Sequence, residues 1–149
     1  MMMTSTENSP VKVFVDTNVI IDALTLRDYE YKPSKALLYN ITEGRIKGYI
    51  CSKQITDIYY IFRKYYSKES DIRECVKKIT SFFEILPLLK GDILACLKTT
   101  MPDFEDAIIC EVAKANMINI IVTNNIRHFE NCGKMVLTPK QFIELYSLE

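Results

Sequence analysis

The fold class this sequence predicts is α/β, a single domain built on a mostly parallel central sheet of four to five strands with helices on both faces, three layers in all. Three observations carry that expectation. Apolar, β-branched runs at Val11–Val15 (VKVFV), Ile46–Cys51 (IKGYIC) and Ile118–Val122 (INIIV) alternate with segments whose apolar residues recur at helical spacing. Right-handed crossovers turn that alternation into a parallel sheet covered on both sides. The length, 149 residues, suits about one domain, enough to bury roughly two-thirds of the unfolded surface in one core. No repeat, linker or low-complexity stretch divides the chain.

The elements follow in order. The first strand stops at Asp16, and Thr17 and Asn18 lead into a helix over Val19–Leu24. Residues 27–32 form a charged, tyrosine-containing connection, and Pro33 suits the first turn of a second helix with Ala36, Leu37, Asn40 and Ile41 on one face. Gly44 is placed to close it before the Ile46 strand. Ser52 can cap a third helix whose stripe is Ile55, Ile58, Tyr59, Phe62 and Tyr66, with Asp57 off the stripe. A fourth helix starts between Ser67 and Asp71 and buries Ile72, Cys75, Val76, Ile79, Phe82 and Phe83. Glu84–Leu88 reads as a short strand and Asp92–Leu97 as a helix after the Lys90, Gly91 break. Pro102 marks the start of a helix running to about Asn116, with Ala107, Ile108, Val112 and Ala115 inward and Asp103 and Asp106 sharing its first turn. The Ile118 strand ends in the polar turn Thr123, Asn124, Asn125. A last strand over Lys134–Leu137 precedes a final helix with Thr138 as cap, Pro139 at its first position and Gln141 as capping-box acceptor.

Composition narrows the function. Lys and Arg number 19 and so do Asp and Glu, so the whole chain does not carry the charge of a nucleic-acid-binding domain, and any such contact is local. The five cysteines form no C-x-x-C pair and fall mostly in apolar segments, which reads as reduced core thiols of a cytoplasmic protein. One histidine, His128, leaves too few ligands for zinc. MMMTSTENSP lacks an export core and no run is long enough for a membrane span; a flexible tail over residues 1–10 and a domain over 11–149 are expected.

A parallel sheet gathers its strand ends at one edge, beside helix N-termini, where open α/β folds bind ligands. Asp16 and the Thr123–Asn125 turn belong at that edge, joined by Asp57, Asp103 and Asp106 from helix starts. Asp16 alone would be no more than a helix N-cap. Carboxylates crowded together raise one another's pKa and need a counter-charge, and an all-oxygen set suits Mg²⁺ or Mn²⁺. Such ions hydrolyse phosphodiesters by activating water and neutralising the phosphate.

VDTNVIIDAL at 15–24, the helix start over Ser52–Asp57, DFEDAIICEVA at 103–113 and IVTNN at 121–125 together resemble the PIN-domain nucleases, especially the VapC-like toxin branch. The likeness covers nearly the whole chain in order. It implies a parallel sheet with flanking helices, a Mg²⁺/Mn²⁺-dependent ribonuclease acting on single-stranded RNA, frequent homodimers and often an antitoxin partner. Asp16 matches the family's first metal ligand and Asp106 its third. Asp57 stands where the family usually has Glu, one methylene longer, and can otherwise be read as a surface acid. Asp103 is either an outer member of the metal site or the N-cap of the Phe104 helix. Asn125 replaces a fourth acid common in relatives, which puts a second tightly held ion in doubt. Thr123 orients water or phosphate, or simply forms the turn.

His128, where relatives often carry Asp before Phe, reads as a rim loop residue, because metal-activated water makes a histidine base unnecessary. Lys53, Arg63, Lys64, Lys68 and Arg127 are candidates for holding the RNA backbone, with Tyr59, Tyr60 or Tyr65 as stacking faces. Asp22 is helix surface or an outer support of the site. Asp57 and Asn125 leave open a second class, a PIN-like module that binds RNA or a protein without cutting. A phosphatase using Asp16 as nucleophile would need an acid two residues on, where Asn18 stands.

Overall fold

In the computed structural model, which describes residues 9–25, 32–146 and 148, the sheet has five strands: β1 Val11–Val15, β2 Ile46–Cys51, β3 Glu84–Leu86, β4 Ile120–Val122 and β5 Met135–Leu137. Their order is β3-β2-β1-β4-β5 and every pairing is parallel. The helices are α1 Thr17–Leu24, α2 Lys32–Thr42, α3 Ser52–Phe62, α4 Glu69–Phe82, α5 Lys90–Cys96, α6 Phe104–Ala115 and α7 Pro139–Leu145, with a 3-10 turn at Ile126–Phe129. Apart from Ser9, Pro10 and Lys32, the expected tail and the connection over 27–32 lie outside the described residues.

The chain builds outward from β1 through β2 to β3, then returns to β1 to add β4 and β5 on the other side. The β1/β4 boundary is therefore the point where strand order reverses and crossovers leave a crevice at the carboxyl edge. Phe14 pairs with Ile121 and Val15 with Val122. The Asp16 amide then donates to the Val122 carbonyl at 2.9 Å, so Asp16 sits at that crevice as a direct extension of the ladder.

Alternation along β1 divides the core. Val13 and Val15 face a layer with Ile20, Leu37, Ile58 and Phe142, while Phe14 faces a second layer with Ile108, Val112, Ile121 and Phe129. The final capping box forms as the spacing predicts: Thr138 Oγ1 accepts from the Gln141 amide at 3.1 Å, and Gln141 Oε1 accepts from the Thr138 amide at 2.9 Å.

Several elements differ from expectation. Helix α3 is closed by Gln54, whose side chain accepts from the Cys51 amide at 2.7 Å, and Ser52 instead accepts from the Leu88 amide. Tyr66 lies beyond the end of α3 and packs edge-on against Phe62. Helix α5 starts at Lys90, with Asp92 reaching back to the Leu89 amide. Phe82 is exposed because the chain turns toward β3 there, and Phe83 is buried in its place. In α6 Ala115 is exposed while Ile109, Cys110 and Ala113 are buried. That helix packs against α5, β2 and the 3-10 turn as well as the sheet layer, so it buries a wider arc than one stripe. The five cysteines are not all thiols: Cys110 and Cys132 are joined in a disulfide with their Cα atoms 5.7 Å apart, leaving Cys51, Cys75 and Cys96 free. Sequence spacing does not reveal that pair, because α6 meets the segment after the 3-10 turn only in the folded chain.

Gly48 shows how closely β2 is packed. A Cβ there would stand 2.8 Å from the Phe83 ring and 2.9 Å from Ile41 Cδ1. Gly48→Ala is expected to destabilise the fold by about 1–2 kcal/mol, since overpacking outweighs the gain from removing a strand glycine. Urea unfolding would read this as a lower midpoint at unchanged slope, and an unchanged midpoint would refute it.

Candidate functional site

Asp16 is held from behind. Its side chain is buried, and Thr123, itself fully buried at the end of β4, donates its hydroxyl to Asp16 Oδ2 at 2.7 Å. The Asn125 amide donates in turn to Thr123 Oγ1 at 3.0 Å. Asp16 occupies the N-cap position of α1, yet its side chain makes no capping hydrogen bond, so capping does not explain it. Burial pushes its carboxyl up, against the lowering effect of the Thr123 and Thr17 hydrogen bonds, and the nearby Asp103 raises it further.

Asp106 projects from the first turn of α6, where Asp103 is the N-cap and accepts from the Asp106 amide at 3.0 Å. The Asp106 side chain is only 14% exposed, and its Oδ2 is buried without a hydrogen bond. His128 Nδ1 stands 3.4 Å away, near enough for charge contact without a bonding geometry. Burial first, then the charges of Asp103 and Asp16, raise the Asp106 carboxyl to about 6, His128 pulling the other way. Buried acceptors are almost always satisfied, so an orphaned carboxylate oxygen beside a second acid calls for an explanation.

Asp57, on α3, is already engaged. Lys53 Nζ lies 2.8 Å from Asp57 Oδ2, one helical turn away, and 2.9 Å from Glu105 Oε1 across the cleft on α6. Burial would lower the lysine's pKa, but its bonds to Asp57 and Glu105 more than offset this and hold the ammonium above its ordinary value.

These side chains line one cleft of about 190 Å³, with Asp16, Asp57, Asp103, Asp106 and Asn125 all in its wall. Thr123 sits behind it as the support of Asp16. Among the described residues no three His, Cys, Asp or Glu side chains close into a ready-made metal cage. A hard cation is nonetheless matched by the oxygen donors of Asp16 and Asp106, and the orphaned Oδ2 is the atom it would satisfy.

Of the cations considered for RNA contact, Lys53 lines the cleft and Arg63, Lys64, Lys68 and Arg127 do not. Arg63 lies over the Tyr60 ring at 5.6 Å, and the Tyr59 hydroxyl is bonded to Glu69, so neither tyrosine is presented at the cleft. Asp22 accepts from Asn124 at 2.6 Å and helps fix the turn after β4. Sequence reasoning missed Glu105; it put His128 at a loop rim, and the structure has it on the 3-10 turn at the mouth of the cleft, largely exposed, with Nδ1 3.4 Å from Asp106 Oδ2. The four-residue spacing of Lys53 and Asp57 was a usable signal for part of this.

The family model of the PIN domain matches residues 12–127. Ribonuclease VapC1 of Aquifex aeolicus (strain VF5) is 29% identical over 143 residues, covering 91% of this chain and 96% of that protein. Among solved structures, FitAB bound to an IR36 DNA fragment superposes with a TM-score of 0.69 at 18% identity, over 85% of this chain and 94% of that one. A toxin–antitoxin complex from Klebsiella pneumoniae gives a TM-score of 0.62 at 23% identity, over 85% and 97%.

Proposed function

This chain belongs to the PIN-domain family, and from that premise we propose that residues 11–149 form a Mg²⁺- or Mn²⁺-dependent endoribonuclease acting on single-stranded or looped RNA in the cytoplasm, the toxin of a type II toxin–antitoxin pair. The observation that carries the reading is the orphaned, buried Oδ2 of Asp106 in the same cleft as Asp16, at the reversal of strand order. Asp16 and Asp106 would hold the ion directly, with Asp57 and Asp103 around them. A bound divalent ion contributes Lewis-acid activation of water and neutralises charge building on the phosphate.

The chain's own residues do the rest. Thr123 fixes the rotamer of Asp16 through one hydrogen bond and is itself fixed by the Asn125 amide. Asp103 orders the first turn of α6, from which Asp106 projects. Asn125 contributes a neutral amide to the wall, and exposed His128 stands at the mouth beside Asp106. The ribonuclease name of the VapC1 relative and the toxin–antitoxin setting of a fold neighbour support the RNA substrate and a protein antitoxin; a homodimer is proposed on the family likeness alone. No helix among the described residues is long and apolar enough to cross a membrane.

A second reading, a PIN-like module that binds RNA or a partner without cutting, is favoured by the Lys53 neutralisation of Asp57 and by the uncharged Asn125. One experiment separates them. A pool of end-labelled single-stranded RNA incubated with the protein and Mn²⁺ should yield shorter products, and chelation with EDTA should abolish them. RNA retained on the protein but uncut in Mn²⁺ would overturn the nuclease and leave the binding module.

A further inference from the structure

Five carboxylates line the cleft, those of Asp16, Asp57, Asp103, Glu105 and Asp106, against one ammonium, that of Lys53. The ammonium is not a loose surface charge. It sits 2.8 Å from Asp57 and 2.9 Å from Glu105, two acids separated by 48 positions and carried by different helices on facing walls. Its side chain is 29% exposed, so most of it is packed into the cleft. The remaining acids divide differently: Asp103 Oδ1 caps α6, and the Asp16 and Asp106 pair has no lysine or arginine beside it among the described residues lining the cleft, only the His128 imidazole 3.4 Å from Asp106 Oδ2.

We propose that Lys53 is a built-in counter-cation which occupies the α3 side of the cleft, so that this chain holds a single divalent ion, at Asp16 and Asp106, with the lysine in the place of a second. The inference rests on the metal site argued above. Three features of this chain agree with it. Asp57 is short and sits one helical turn from Lys53, which favours an ion pair over reach toward the centre of the cleft. Glu105 completes the ammonium's coordination from the opposite wall. Asn125 offers an amide, which adds no charge to draw a second ion. A monovalent lysine between two carboxylates also ties α3 to the start of α6, and so acts as a positioning residue for the cleft walls.

Calorimetric titration of the full-length chain with Mn²⁺ tests this without reference to turnover. The wild type should take up one Mn²⁺ per chain. Lys53→Met, freed of the ammonium, should take up two, and Lys53→Met/Asp57→Asn should return to one. Lys53→Gln provides a second neutral variant should Lys53→Met melt early, and Lys53→Arg, which keeps the charge, should stay at one. Two ions in the wild type, or one ion at unchanged affinity in both neutral variants, would overturn the role of Lys53 while leaving the metal site standing. No Mn²⁺ uptake by the wild type would overturn the metal site and this inference with it.

Discussion

Asp106→Asn is expected to reduce Mn²⁺-supported RNA cleavage at least about a hundredfold, the roughly 3 kcal/mol or more that follows from losing a ligand to the ion that stabilises transition-state charge. The same substitution should raise the melting temperature of the metal-free protein. The two effects have one cause. The Asp106 carboxyl is mostly buried, its Oδ2 accepts no hydrogen bond, and burial together with Asp103 and Asp16 raises it from 3.8 to about 6. The folded chain therefore binds that proton more tightly than the unfolded chain does. Its contribution to stability is fully present below about pH 4 and is lost as pH rises through about 6. At neutral pH the ionised group costs about 1–2 kcal/mol after allowance for solvent screening. Asn keeps the shape and removes the charge, which corresponds to a rise of roughly 3–6 °C for a domain of this size. Melting in EDTA at pH 7.5 and at pH 4 checks the sign, because the gain should shrink at the lower pH. A lower melting temperature at pH 7.5 would mean the carboxylate is structurally satisfied, and unchanged Mn²⁺ affinity would remove Asp106 from the site.

Which features were legible in the sequence follows from how local their causes are. The Thr138, Pro139, Gln141 cap could be read from four consecutive residues because a capping box is a contact within one turn. The β1 run ending at Asp16 was legible because its last three residues, Val13, Phe14 and Val15, are buried on both faces and so form a continuous apolar run after the exposed Lys12. The Asp103 cap was visible as an option in the three-residue spacing to Asp106, and the hydrogen bond decides it. What the sequence hid are contacts whose partners are far apart in the chain. Lys53 with Glu105, His128 with Asp106, and Cys110 with Cys132 depend on how α3, α6 and the 3-10 turn are set against one another, and periodicity carries no record of that. Phe82 was misplaced because the chain turns toward β3 at the end of α4, and Ala115 because α6 buries an arc set by α5, β2 and the 3-10 turn, which covers Ile109, Cys110 and Ala113 and leaves Ala115 exposed.

Removing the Cys110–Cys132 bond is expected to cost about 3 kcal/mol, the loop-closure value for a link spanning 22 positions. For a domain of this length that is a fall of roughly 6–12 °C in melting temperature. The position of the link argues that the loss is not confined to a loop. Cys110 lies one helical turn beyond Asp106 on α6, and Cys132 follows the 3-10 turn that carries His128, so the bond joins two walls of the cleft through buried residues. Reduction with dithiothreitol and the variant Cys132→Ala should lower the melting temperature by similar amounts, and Mn²⁺ affinity should fall with it as Asp106 and its neighbours loosen. Alkylation of the unreduced, denatured protein should label Cys51, Cys75 and Cys96 only. Labelling of all five, with a melting temperature indifferent to reductant, would restore the reading that composition suggested, in which these are reduced core thiols packed side by side, and α6 would then be held to the 3-10 turn by apolar contact alone.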